Sequence, residues 1–124
     1  MGQSYKDLVV WQKAMDFTAD VYLVTRTFPK EELYGLTSQL RRAAVSVPSN
    51  IAEGQGRLSP GEFRQFLGHA RGSLLEIETQ LELATRLHYL KSEDSGRLLR
   101  SSAEVGRILN GLLGSDLDRC RRSA

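Results

Sequence analysis

Residues 10–28 read VWQKAMDFTADVYLVTRTF. Within them Val10, Ala14, Phe17, Val21, Val24 and Phe28 follow one another at alternating steps of four and three. That spacing lines one face of a helix with apolar side chains, whereas a half-buried strand would repeat every second residue. Trp11, Met15, Thr18 and Tyr22 sit beside the stripe and widen it. The helix therefore shows more apolar surface than one neighbour covers, and surplus apolar surface on a soluble chain marks a contact. Trp11, Met15 and Tyr22 are the candidate contact residues.

The same period continues outward from this segment. Leu33, Leu36, Leu40, Ala43, Val47 and Ile51 form a second stripe with Pro48 inside it. A proline there removes one backbone hydrogen bond and clashes with the preceding turn, at about 3 kcal/mol unless the helix bends. Helix 2 is accordingly expected to be kinked near Pro48, with Ser46, Ser49 and Asn50 at hand to meet the freed backbone groups. Ser59-Pro60-Gly61-Glu62 combines a cap, a proline at the first helical position and a capping-box glutamate. Phe63, Leu67, Ala70, Leu74, Ile77, Leu81 and Ala84 then carry helix 3. Ser92-Glu93-Asp94 starts helix 4, whose stripe is Leu98, Ser102, Val105, Leu109 and Leu112, interrupted by Gly106, Gly111 and Gly114. The expectation is an all-α, antiparallel up-down-up-down four-helix bundle in one domain spanning 1–124, with helices over about 10–28, 31–54, 60–89 and 93–117 and a frayed tail over 118–124.

A length of 124 residues suits one core, and 40% hydrophobic with 26% charged residues excludes a disordered or membrane-embedded class. The N-terminus has no signal-like apolar core, so a cytoplasmic location is expected. Cys120 is the single cysteine, which excludes an intramolecular disulfide or a thiolate metal cluster. His69 and His88 have no second ligand at metal spacing, and Glu53, Glu76, Glu78 and Glu82 lack the Glu-x-x-His pairs of a di-metal bundle. Gly54-Gln55-Gly56 follows no strand and precedes no Walker lysine. Ser46 and Ser49 have no local base. The chain does not read as an enzyme, and neither a metal nor a cofactor is expected.

Charge is more informative in its placement than in its net value of +2. A hairpin of helices 2 and 3 turning near Arg57 and Leu58 is expected to set Arg41 and Arg42 beside Arg71, with Arg57 and Arg64 extending the same side. Five guanidinium groups so gathered suit phosphate, because arginine is always charged and offers planar paired donors. Arg41, Arg42, Arg57, Arg64 and Arg71 are thus the candidate contacts to RNA or DNA, or to a nucleoprotein. A second reading stays open: a structural or adaptor protein that docks another protein, its arginines consumed by ion pairs with Glu53, Glu62, Glu76 and Glu78 within the bundle or across a subunit boundary. Aromatic residues are not interleaved with these arginines, which disfavours single-strand stacking.

The stretch Phe28-Pro29-Lys30-Glu31-Glu32-Leu33-Tyr34-Gly35-Leu36 through Ser46-Val47-Pro48-Ser49-Asn50-Ile51-Ala52-Glu53-Gly54 resembles the four-helix-bundle proteins of the 23S rRNA intervening-sequence family. Leu8-Val9-Val10-Trp11-Gln12-Lys13-Ala14, Glu62-Phe63-Arg64-Gln65-Phe66-Leu67 and Gly72-Ser73-Leu74-Leu75-Glu76-Ile77-Glu78 extend the resemblance over residues 8 to 90. It implies a ring-like homopentamer, and in such an oligomer the surplus apolar residues Trp11, Met15 and Tyr22 are the candidate interface between copies. A related branch, the accessory variability proteins of diversity-generating retroelements, implies a basic barrel that binds nucleic acid and a reverse transcriptase. Arg41, Arg42 and Arg64 match the family pattern, His88 stands where members often carry glycine, and helix 4 matches loosely.

Overall fold

A computed structural model describes the backbone of residues 4–123 and the side chains of residues 4–114. Its order is a 3-10 turn at Tyr5–Asp7, α1 at Val9–Thr25, a second 3-10 turn at Lys30–Glu32, α2 at Leu36–Gln55, α3 at Pro60–Arg86 and α4 at Ser92–Ser123. The described residues contain no strand. The apolar stripe of α1 is buried along its length, and Phe28 joins the core from beyond the helix end. The helix stops at Thr25 because the backbone tightens, Arg26 N–H donating to Leu23 O and Phe28 N–H to Thr25 O, before Pro29 leaves it.

The start of α2 is later than periodicity predicts. Gly35 takes φ −112° and ψ −114°, off the helical region, so the stretch before it forms only a 3-10 turn. Leu33, expected in the apolar stripe, is left 49% exposed. In place of a cap at the residue before the helix, the Glu32 carboxylate accepts the Leu36 N–H at 3.3 Å. Its second oxygen accepts the Tyr89 hydroxyl at 3.0 Å, which ties the entry of α2 to the link between α3 and α4.

Pro48 lies buried inside an α2 that continues through it. Having no N–H, it deprives the Ala44 carbonyl of its helical donor, and a buried carbonyl without a partner is costly. The donor comes from α1: the Thr18 hydroxyl lies 3.0 Å from Ala44 O. Ser46 and Asn50, the residues expected to help, are used otherwise. Ser46 Oγ donates to Ala43 O and meets Ser73 Oγ of α3, while Asn50 Nδ2 donates to Ser46 O.

Contacts fix the direction of the helices. Thr18 pairs with Ala44 and Thr25 with Arg41; Ser46 pairs with Ser73 and Gly54 packs on Phe63 and Phe66. Glu78 pairs with Ser102 and Arg71 with Asn110; Lys13 pairs with Glu104 and Asp20 with Arg97. In every pair the numbers rise on one helix as they fall on the other, so each helix runs opposite to the two it touches. The four stripes meet in one apolar core containing Phe17, Leu40, Ile51, Leu67, Ile77, Leu81, Leu98 and Leu109. On α4, Leu113 closes that core and the expected Leu112 is turned outward.

At its C-terminus α3 ends in a Schellman arrangement: Tyr89 N–H donates to Ala84 O at 2.9 Å and His88 N–H to Thr85 O at 3.0 Å. His88 occupies the left-handed position with φ 63°. The α4 backbone is helical to Ser123, through most of the stretch expected to fray. Residue 124 and all side chains from 115 onward, that of Cys120 included, lie outside the described residues.

Candidate functional site

The five predicted arginines are distributed around the bundle. Arg41 turns toward α1, where its Nε donates to Thr25 Oγ1 at 2.9 Å, Nη2 reaches Tyr22 O at 3.4 Å, and the guanidinium stacks 4.7 Å over the Tyr22 ring. Arg57, in the link between α2 and α3, pairs with Glu53 at 3.0 Å and lies 3.9 Å from Glu62 and 4.8 Å over the Phe66 ring. Arg42 is exposed on α2. Arg71 turns toward α4 and donates to Asn110 Oδ1 at 3.2 Å. Arg64 is exposed seven residues before Arg71, on the same side of α3.

Register explains the dispersal. Ser46 stands level with Ser73, so Arg41 comes level with the region of Glu78, about two helical turns from Arg71. The link between α2 and α3 is short, yet its residues do not lie symmetrically about Arg57 and Leu58, and the expected neighbours slide past one another. Arg41 and Arg71 end on opposite flanks of the α2–α3 pair, one held by α1 and the other by α4.

What the structure does gather is a different set. A groove of about 350 Å³ runs between α3 and α4, lined by Arg71, Leu75, Ala103, Gly106, Arg107 and Asn110 among others. Arg107 is exposed, as is Arg100 two turns earlier on α4, and the Arg107 charge acts on Glu104 one turn away. One carboxylate lines the groove, that of Glu78, which accepts the Ser102 hydroxyl at 3.1 Å; Glu104, on the α1 side of α4, accepts Lys13 at 2.5 Å. The Lys13 ammonium holds the Glu104 carboxyl below its ordinary range through that bond and the charge behind it. The sequence carried a signal for this set, since Arg100 and Arg107 repeat the seven-residue spacing of Arg64 and Arg71. The core stripe of helix 4 carries no trace of it, because these arginines lie off the buried face.

Two further surfaces stand out. Between α1 and α2 an apolar groove is lined by Tyr5, Trp11, Met15, Val45, Pro48 and Ala52. Trp11 is half-buried there with Tyr5 edge-on to it at 5.3 Å, while Met15 is 43% and Val45 41% exposed. Tyr22 lies further along α1 beneath Arg41. At the far end of the bundle a wide cleft includes Leu23, Thr27, His88, Lys91, Asp94 and Arg97. Its charges are internally balanced. Arg97 grips both oxygens of Asp20 at 2.9 Å and reaches Asp94 at 2.7 Å, contacts that keep the guanidinium firmly protonated.

Among the described residues no serine or threonine hydroxyl is hydrogen-bonded to a histidine or lysine side chain. Among the described residues no three His, Cys, Asp or Glu side chains gather as a metal site would require, and no helix is long and apolar enough to cross a membrane.

Comparison with known proteins places this geometry. A family model described as 23S rRNA-intervening sequence protein matches residues 6–111, a range that takes in all five predicted arginines, Arg107 and Asn110. No curated protein matches the chain. Among solved structures, a protein with unknown function from the S23 ribosomal protein family of Bacteroides thetaiotaomicron is similar with a TM-score of 0.77 and 24% sequence identity, over 85% of this chain and 98% of that one. At that identity the likeness is one of fold.

Proposed function

We propose that this chain, which belongs to the 23S rRNA-intervening sequence protein family, is a non-enzymatic binding module that assembles with copies of itself and holds nucleic acid on its α3–α4 face. The carrying observation is the groove in which Arg71 and Arg107 flank Asn110, two guanidinium groups against the one carboxylate of Glu78. Guanidinium groups in that setting are available to phosphate oxygens, and each phosphate neutralised releases condensed counterions. Assembly belongs to the same reading. The apolar groove of α1 and α2 supplies a surface for it, the pentamer implied by the family resemblance is the form we expect, and several copies would multiply a net charge of +2.

The test is binding of mixed-sequence RNA and DNA at low and moderate salt by the intact chain and by an Arg71→Gln, Arg107→Gln double variant. Native protein is expected to weaken steeply with salt, and the double variant to bind less tightly to every sequence with a salt slope lower by about 2. Arg57→Gln, which removes a guanidinium already held by Glu53, serves as the control that changes little. Binding unchanged in the double variant, or insensitive to salt, overturns the assignment. A double variant that instead falls apart on a sizing column favours the adaptor reading, in which these arginines join subunits.

A further inference from the structure

Resting on the reading above, we infer that the α3–α4 groove is a pocket for one unpaired guanine, with Glu78 reading the base edge while Arg71 and Arg107 hold a phosphate. The groove is polar at both ends. Arg71 donates to Asn110 across one end, and Ser102 donates to Glu78 across the other. Arg71 and Glu78 are seven residues apart on α3, which sets the ends about 10 Å apart along the helix. A carboxylate at that remove, about a Debye length, leaves the guanidinium end cationic. The occupant that fits brings an anion to one end, hydrogen-bond donors to the other and an apolar face between them. A phosphate, its sugar and a flat base come in that order.

Glu78 is placed to accept. It is half-buried, and its one hydrogen bond among the described residues comes from the Ser102 hydroxyl to Oε1 at 3.1 Å. A carboxylate has about four acceptor positions, so most remain open, while the buried Ser102 fixes its orientation. Guanine alone among the bases presents two adjacent donors on its pairing edge, N1–H and the 2-amino group, which match the two oxygens of a carboxylate. Adenine and cytosine set a ring acceptor beside their amino group, and uracil or thymine flanks its N–H with carbonyls. Each of these turns an acceptor toward an acceptor and leaves it unsatisfied. The edge in question is the one used in base pairing, so the guanine read here is unpaired.

The middle of the groove is kept open for a flat group. Gly106 lies on α4 between the two ends, and a Cβ there would meet only Leu74 Cδ1, at an ordinary 3.8 Å. No contact inside the molecule calls for glycine, and glycine weakens a helix interior relative to alanine. Its missing side chain leaves a floor walled by Leu75 of α3 and Ala103 of α4. The volume of about 350 Å³ lies at the small end of the range for ligand pockets. No aromatic ring lines the groove. Stacking on a ring tolerates any base, so its absence rests the choice of base on the hydrogen bonds of Glu78.

The experiment measures binding to oligouridine and oligothymidine strands that carry guanine, inosine, adenine or cytosine at one central position, at one salt concentration. On at least one backbone the guanine strand should bind about tenfold tighter than the adenine and cytosine strands, within the range that one bidentate base contact supplies. Inosine, which lacks only the 2-amino group, should lose most of that preference, and in annealed duplexes it should vanish. Glu78→Gln keeps an oxygen for Ser102 and removes the second acceptor. It should bring guanine down to the level of adenine without weakening the adenine strand. Gly106→Ala, which sets a methyl on the floor without a clash, should do the same in a protein at least as stable. Guanine and adenine strands bound alike by the native protein on both backbones overturn the inference and leave nucleic-acid binding standing. Inosine bound as tightly as guanine, or a guanine preference that survives both substitutions, overturns it as well. Failure to bind any strand removes the proposed function itself.

Discussion

A threonine hydroxyl carries one proton, and Thr18 holds it between two carbonyls, Ala14 O at 2.8 Å and Ala44 O at 3.0 Å. The second is the carbonyl that Pro48 leaves without a donor, and it is fully buried with its residue. Thr18→Val keeps the shape and removes the proton, so it should destabilise the fold by about 1–3 kcal/mol, the cost of an orphaned buried acceptor. In a Pro48→Ala background residue 48 supplies its own N–H, and the same substitution should cost markedly less. Urea unfolding of the four proteins reads the coupling directly, and equal costs in both backgrounds would refute the account. Residue-scale facts of this kind were out of reach of the sequence. Pro48 announced a missing hydrogen bond, but its replacement comes from a residue thirty positions away on another helix. The arginines failed to gather for the same reason: which of them are neighbours depends on register, and the register follows from side-chain packing such as Gly54 on Phe63 and Phe66, which has no periodic signature.

Helices were legible wherever period and cap agreed. Ser59 accepts the Glu62 N–H at 3.2 Å at the start of α3, as the capping signal requires, and the stripes of α1 and α3 are buried as spaced. Periodicity misled where a local backbone choice outranked it, at Gly35 before α2 and at the choice of Leu113 over Leu112 on α4. The end of α3 is the informative case. His88 adopts φ 63°, a conformation that glycine enters freely and a side chain enters at a penalty. His88→Gly should therefore stabilise the protein by about 1 kcal/mol, seen as a higher midpoint in thermal or denaturant unfolding with an unchanged slope. A loss of stability would mean that the imidazole makes a contact outweighing the backbone strain.

At the scale of the whole molecule two unlike surfaces lie on different sides of the bundle, an apolar groove over α1 and α2 and a basic one over α3 and α4. The first holds Met15 and Val45 half out of the core, positions where a charge can enter without disturbing the interior. Met15→Glu with Val45→Glu should leave the helical content and the unfolding transition of the monomer in place while shifting the chain to a smaller species in sedimentation or size-exclusion measurements. A native chain that already sediments as a monomer would end the assembly proposal, and an undiminished assembly in the variant would move the interface elsewhere.

The proton shared by Thr18 also joins two segments of chain into one inheritable piece. An α2 separated from α1 would surrender the Ala44 carbonyl to water and open at its proline, so neither helix can be cut out, exchanged or grafted into another bundle without the other. The smallest portable part of this protein is that helical hairpin, its seam held by the Thr18 hydroxyl together with the contacts of Arg41 to Thr25 and Tyr22.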